Sequence, residues 1–219
     1  MGNDRKKDLE LQHPHWENHW GDMEKITESP SEAAKLAVEK FKERGITKVL
    51  ELGGGLGRDT IYIAKQGFQV YVLEYTEKGI QIIRNKARVE GLSESIIPTQ
   101  HDVRNPLPFA DDWFEGCFSH MLYCMAFTDE EQDLISHEIK RVLKPGGMNM
   151  YTVRNIKDPM YKTGIHRGGN MYEIEGFIIN FFDETMIRKL SKGFELQHII
   201  EFEEGALPKK LYFVILNAQ

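Results

Sequence analysis

Val49-Leu50-Glu51-Leu52-Gly53-Gly54-Gly55-Leu56-Gly57 is a short apolar run that breaks into a glycine cluster. Such a run reads as a buried strand, and the glycines at positions 53, 55 and 57 let the backbone turn sharply and approach a ligand at the strand's tip. Arg58 to Gln66 then resumes a helical pattern closed by Gly67. The unit is strand, glycine loop, helix. A tight turn without a ligand has the same local look, so the flanking sequence decides.

Upstream, Ser29-Pro30-Ser31-Glu32 reads as a capping box with proline at the first helical position, and Ala34, Val38 and Phe41 repeat at helical spacing until Gly45. Downstream, Phe68 to Leu73 is a second strand. Thr76 caps a helix with Ile80, Ile83 and Ala87 on its buried stripe, ended by Gly91. Ile96 to His101 and Gly116 to His120 are a third and fourth strand, and Thr128 with Glu131 forms a capping box for a helix facing inward through Ile135, Ile139 and Val142. Lys144-Pro145-Gly146-Gly147 ends that helix before a fifth strand, Met148 to Val153. A last helix, Asp183 to Lys192, leads into Phe194 to Phe202 and Leu211 to Leu216, which pair as an antiparallel hairpin. Alternating β and α units closed by a hairpin imply an α/β fold with a mostly parallel, doubly wound sheet and helices on both faces.

The chain has 219 residues, 41% of them hydrophobic, enough for one elaborated domain with a real core. Residues 1–30 read as a polar tail followed by an aromatic cap, and 31–219 as the domain proper with an insertion at 154–178. Met1 to Gln12 is charged and without apolar period, so it reads as a frayed terminus. In the cap, Trp16 and Trp20 stand four apart on one helical face. A balance of 28 basic to 34 acidic side chains argues against nucleic acid as partner. No stretch reaches the length of a membrane span, and two cysteines build no disulfide framework; the expected compartment is the cytoplasm.

Glu74 ends the second strand, where a carboxylate grips ribose hydroxyls in nucleotide-binding α/β folds, and Asp102 ends the third, placed to accept from an exocyclic amine. With these positions the chain resembles the class I S-adenosylmethionine-dependent methyltransferases. Glu51 through Gly57 matches their acidic-x-Gly-x-Gly-x-Gly loop, Glu74 their ribose acid and Asp102 their adenine-side acid. Pro106 to Phe109, Asp112, Phe114-Glu115 and Leu143 to Gly147 resemble further landmarks. His120 replaces the acidic or asparagine residue of some amine-modifying and nucleic-acid-modifying branches.

The resemblance implies a Rossmann-like sheet of seven strands. It implies S-adenosylmethionine as methyl donor, S-adenosylhomocysteine as product and no metal. As cofactor-binding residues it points to Glu51, Gly53, Gly54, Gly55, Gly57, Arg58, Asp59, Glu74, Tyr75, Asp102, Val103 and Ser119.

A sulfonium methyl needs only a nucleophile held in line and water kept out, so no catalytic triad is expected. His120 and Tyr123, after the fourth strand, are the candidate catalytic residues. Trp16, Trp20, Arg154, Tyr161 and His166 are candidate substrate contacts for a small-molecule acceptor, with the glycine-rich 154–178 insertion as a mobile lid. His15 and His19 have the spacing of a helical metal pair but no acidic or cysteine help, and no metal is assigned. Cys117 and Cys124 read as buried and inert. The oligomeric state expected is monomer or homodimer. Two other readings share the loop and ribose acid: a nicotinamide-dependent oxidoreductase and a non-catalytic S-adenosylmethionine-binding protein.

Overall fold

The computed structural model describes residues 2–23, 29–205 and 208–219, with side chains in the first helix described over 11–21. A glycine-terminated strand β1 (Lys48–Leu52) lies at the centre of a seven-stranded sheet. The other strands are β2 (Gln69–Glu74), β3 (Ile96–Gln100), β4 (Phe114–His120), β5 (Leu143–Arg154), β9 (Phe194–Glu204) and β10 (Lys209–Ala218), in the order β3-β2-β1-β4-β5-β10-β9. Pairing is parallel from β3 through β5 and antiparallel for β5-β10-β9.

Alternation along the strands sorts the core into two layers, because successive side chains point to opposite faces. Val49, Val70, Val72, Phe118, Met150, Phe213 and Ile215 pack under helices α2 (Glu32–Glu43), α3 (Arg58–Lys65) and α4 (Glu77–Val89). Leu50, Leu52, Leu73, Cys117, Tyr151, Val153 and Val214 pack under α5 (Asp129–Val142) and α6 (Glu184–Leu190). Strand order reverses between β1 and β4, and this opens a crevice at the carboxyl ends of those strands. Among the described residues no helix is long and apolar enough to cross a membrane.

Three expectations need correction. Residues 2–12 form the first half of helix α1 (Gly2–Met23), which continues past Pro14. Helix α1 therefore forms without an apolar period over its first half. Next, the cap of α2 is Ser31, not Ser29: Ser31 Oγ accepts from the Ala34 N–H at 2.9 Å and donates to Asp59 Oδ2 at 2.8 Å. Finally, the 154–178 insertion is not a structureless loop. With the residues after it, it forms a three-stranded antiparallel sheet of β6 (Ile165–Gly168), β7 (Met171–Ile174) and β8 (Phe177–Asn180). Its strands of four residues are too short to display a period, and its glycines serve as turn residues, with φ of 98° and 54° at Gly168 and Gly169 and 84° at Gly176.

Candidate functional site

A cavity of about 460 Å³ occupies the crevice at the carboxyl edge of the sheet. Its floor is the loop after β1. Gly53 and Gly55 hold φ of 74° and 53°, and a Cβ at Gly54 would stand 2.4 Å from Val72 Cγ2, so side chains are excluded and backbone faces the cavity. Gly57, outside the lining, caps α3 and lies so close to α4 that a Cβ would meet Ile83 Cγ1 at 2.9 Å.

Glu74, at the tip of β2, folds back on this loop. Its Oε2 accepts from the Gly55 N–H at 2.9 Å, and Oε1 accepts from Thr76 N at 3.0 Å and Thr76 Oγ1 at 2.8 Å. Burial raises its pKa against the pull of those donors. A carboxylate has about four lone-pair sites, so Oε2 keeps room for a further donor. Glu51, on β1, is 3% exposed; its Oε2 is buried without a hydrogen-bond partner, and burial pushes its pKa up to about 8. An orphaned acid aimed into a cavity is a ready receptor for an ammonium group.

Tyr75, Asp102 and Val103 line the cavity at the β2–β3 end. Asp102 is tied to Arg104 through Nε and, at 2.6 Å, Nη2; burial opposes ionisation, but these bonds hold the carboxyl below its usual range. Arg58 and Asp59 also line it, although both Asp59 oxygens are engaged by Ser31 and Arg58. Asp59 therefore fastens α2 to α3. Ser119 is buried on β4 outside the lining.

At the β4–β5 end, His120 lines the cavity with Nδ1 3.0 Å from Thr152 Oγ1 and Nε2 3.1 Å from Glu204 Oε2. Burial opposes ionisation of Glu204, but the hydrogen bond and charge of His120 bring its pKa down to about 2. Tyr123 lies elsewhere: it is 1% exposed in the core, its ring 5.0 Å from that of Tyr151, and does not line the cavity. Arg154 does line it, 7% exposed and paired with Asp158 through Nε at 3.0 Å and Nη2 at 2.9 Å.

Helix α1 and β8 make the roof. Trp20 rests on the glycine loop, its Cζ2 3.2 Å from where a Gly55 Cβ would be, and Trp16 lies 5.1 Å from Trp20 and 4.5 Å from Phe177 between ring centroids. Polar anchors at Gln12 and Glu17 hold the helix down, beside a contact of His13 Nε2 with Tyr75 O at 3.3 Å. Gln12 donates to Gly176 O at 3.0 Å and accepts from the Ile178 N–H at 3.1 Å, while the Glu17 carboxylate accepts from the N–H groups of Glu77 and Lys78 at 2.7 and 3.2 Å. The second anchor sits on the positive end of α4. Tyr161 and His166 do not reach the cavity: Tyr161 packs on Tyr172 and Phe181, and His166 faces the Gly169 carbonyl on the exposed side. No His, Cys, Asp and Glu cluster suited to a metal occurs among the described residues.

Gln12, Glu17, Phe177, Glu204 and Lys209 carry no motif and escape sequence reasoning. Each matters through a partner distant in the chain.

A family profile described as a methyltransferase domain matches residues 49–147, the segment that builds the cavity floor. Over that segment the chain matches a methyltransferase domain, in line with the resemblance carried by its glycine loop. This decides against the nicotinamide alternative. The chain is 40% identical over 62 residues to a 23S rRNA (uracil(747)-C(5))-methyltransferase of Pyrococcus abyssi, covering 28% of this chain and 15% of that protein. It is 30% identical over 156 residues to phosphoethanolamine N-methyltransferase 1 of Triticum aestivum, covering 64% and 30%. The chain thus spans less than a third of the length of these curated relatives. Its fold is shared with 1,6-didemethyltoxoflavin-N1-methyltransferase of Burkholderia thailandensis, solved with its substrate and S-adenosylhomocysteine, at a TM-score of 0.68 and 18% identity over 86% of this chain and 79% of that one.

Proposed function

We propose that the chain transfers a methyl group from S-adenosylmethionine to a small-molecule acceptor held beneath helix α1, with residues 1–30 as cap and 31–219 as the methyltransferase domain. The observation that carries this reading is the roof itself: Trp20 covers the glycine loop at Gly55, over a cavity of a volume suited to small ligands. A net charge of −6 argues the same way.

The residues fit the cofactor. Its sulfonium, when bound, supplies an electrophilic methyl. Glu74 would hold the ribose hydroxyls and Glu51 the amino-acid ammonium, and the backbone of Gly53, Gly54 and Gly55 would allow close approach without a Cβ. Tyr75, Asp102 and Val103 border the base. His120, steadied by Thr152 and Glu204, stands where the acceptor is oriented, and Trp16 and Trp20 exclude water from the transfer. No metal takes part in this scheme.

Calorimetric titration with S-adenosylhomocysteine beside NADH tests the cofactor half; saturable binding of the first alone is expected. Incubation with labelled methyl donor and fractionated small metabolites tests the acceptor half. Label confined to RNA or protein would overturn it, and cofactor binding without transfer to any acceptor would favour a non-catalytic binding protein.

A further inference from the structure

Across the carboxyl edge of the sheet the lining residues follow strand order: Glu74 on β2, the glycine loop on β1, His120 on β4, Arg154 on β5 and Lys209 on β10. From β1 to β10 is three strand spacings, roughly 14 Å. Lys209 and Arg154 therefore stand beyond the glycine loop and ribose acid, at the end left to the acceptor in the proposed reaction.

The charges at that end are not used up by the protein. Asp158, fully buried at its side chain, accepts from Arg154 Nε and Nη2 and from the backbone N–H groups of Met160 and Lys210. These bonds fix the guanidinium and leave Nη1 without a protein acceptor among the described residues. Lys209 is half-buried, lines the cavity and has no ion-pair partner among the described residues. Its cross-strand neighbour is Glu204, which accepts from the Glu32 N–H at 3.1 Å and lies 3.1 Å from His120 Nε2. Met121, Met125, Phe127, Met160, Ile178 and Ile179 share the lining with these cations. A half-buried lysine that shares such a lining with a pre-oriented arginine recovers its desolvation cost when an anion joins it.

We propose that the β5–β10 end of the cavity binds an oxyanion, a carboxylate or phosphate carried by the methyl acceptor on an apolar body, through Lys209 Nζ and Arg154 Nη1. This rests on the methyltransferase reading and narrows its substrate class. Arg154 is the fixed donor and Lys209 the adaptable one, so either oxyanion geometry can be met.

The test is calorimetric titration of the protein, with and without saturating S-adenosylhomocysteine, using phenylacetate, phenyl phosphate and the neutral phenylacetamide as probes. Binding of either anion, with at least tenfold preference over phenylacetamide, is expected, and the two anions show which oxyanion fits better. Lys209→Met should weaken anion binding tenfold or more while S-adenosylhomocysteine affinity stays within twofold, which shows the variant folded. Lys209→Arg should restore most of it. Equal binding of the neutral probe, no binding of either anion, or anion binding unmoved in Lys209→Met would each overturn the proposal. If S-adenosylhomocysteine itself fails to bind, the methyltransferase reading fails, and the titrations without it still decide whether the anion site exists.

Discussion

The carboxylate of Glu74 accepts a hydrogen bond from the backbone N–H of Gly55 at 2.9 Å, so the acid at the tip of β2 sets the shape of the loop that leaves β1. One side chain serves two purposes: it braces the glycine loop and offers its remaining lone pair to the cavity. Glu74→Ala should weaken S-adenosylhomocysteine binding by about 1–3 kcal/mol, the cost of losing a buried hydrogen-bond partner, or roughly 5- to 150-fold in affinity. Calorimetry on the variant reads this directly; unchanged affinity would remove Glu74 from the site.

Gly54 is a packing requirement. With a Cβ 2.4 Å from Val72 Cγ2 and 3.2 Å from Ile83 Cδ1, Gly54→Ala overfills the seam between loop and sheet. A loss of about 1–3 kcal/mol is expected, visible as a lower urea midpoint with an unchanged slope. A midpoint matching that of the native chain would show the seam to be looser than drawn.

Ligand binding should be visible in tryptophan emission. Trp16 and Trp20 line the cavity, whereas Trp113 lies outside the lining, exposed beside Lys48. Emission should change on adding S-adenosylhomocysteine, survive Trp113→Phe and vanish in the double variant Trp16→Phe/Trp20→Phe. A response lost with Trp113 instead would move the ligand away from the roof.

Glu51 makes the free protein's stability depend on pH in a defined direction. Burial raises its pKa from 4.5 to about 8. Between those values the unfolded chain has released the proton and the folded chain keeps it, so the stability from this group is whole below about pH 4.5 and lost as pH rises to about 8. Relative to Glu51→Gln, the native chain should lose stability between about pH 5 and 8 in urea titrations. Parallel curves for the two proteins would contradict it. An ammonium arriving at Glu51 favours the ionised form, so cofactor binding near neutrality should release a proton, seen as heats that vary with buffer ionisation enthalpy.

Both thiols should be silent in the native state. Cys117 and Cys124 are 1% exposed, and burial pushes the Cys124 pKa up to about 12 and that of Cys117 higher still. Iodoacetamide should label neither until urea unfolds the chain; rapid native labelling would refute this.

Much of the fold is legible in the sequence because it is written in local signals. The β1 run and the Thr128–Glu131 capping box appear where pattern and cap chemistry place them, the last helix starts next to Asp183, and the terminal hairpin pairs antiparallel. The cavity's floor is legible for the same reason: Glu51, the glycines and Glu74 lie within one βαβ unit. What is not legible depends on meeting across the fold. Glu17 reads as one more acid on a polar helix until it reaches the start of α4, and Lys209 as a hairpin lysine until β10 brings it to the cavity that Arg154 also lines. Tyr123 misleads in the opposite sense: its position after β4 matches a reactive residue, but the short turn Leu122–Cys124 sends its ring into the core.

Helix α1 spans the cavity from an anchor on β8 to an anchor on α4, with Trp20 resting on the loop between. A ligand seated on that loop would lie under the same helix that covers the space beneath β8, so loosening α1 at Gln12 or Glu17 should expose both ends of the chamber together.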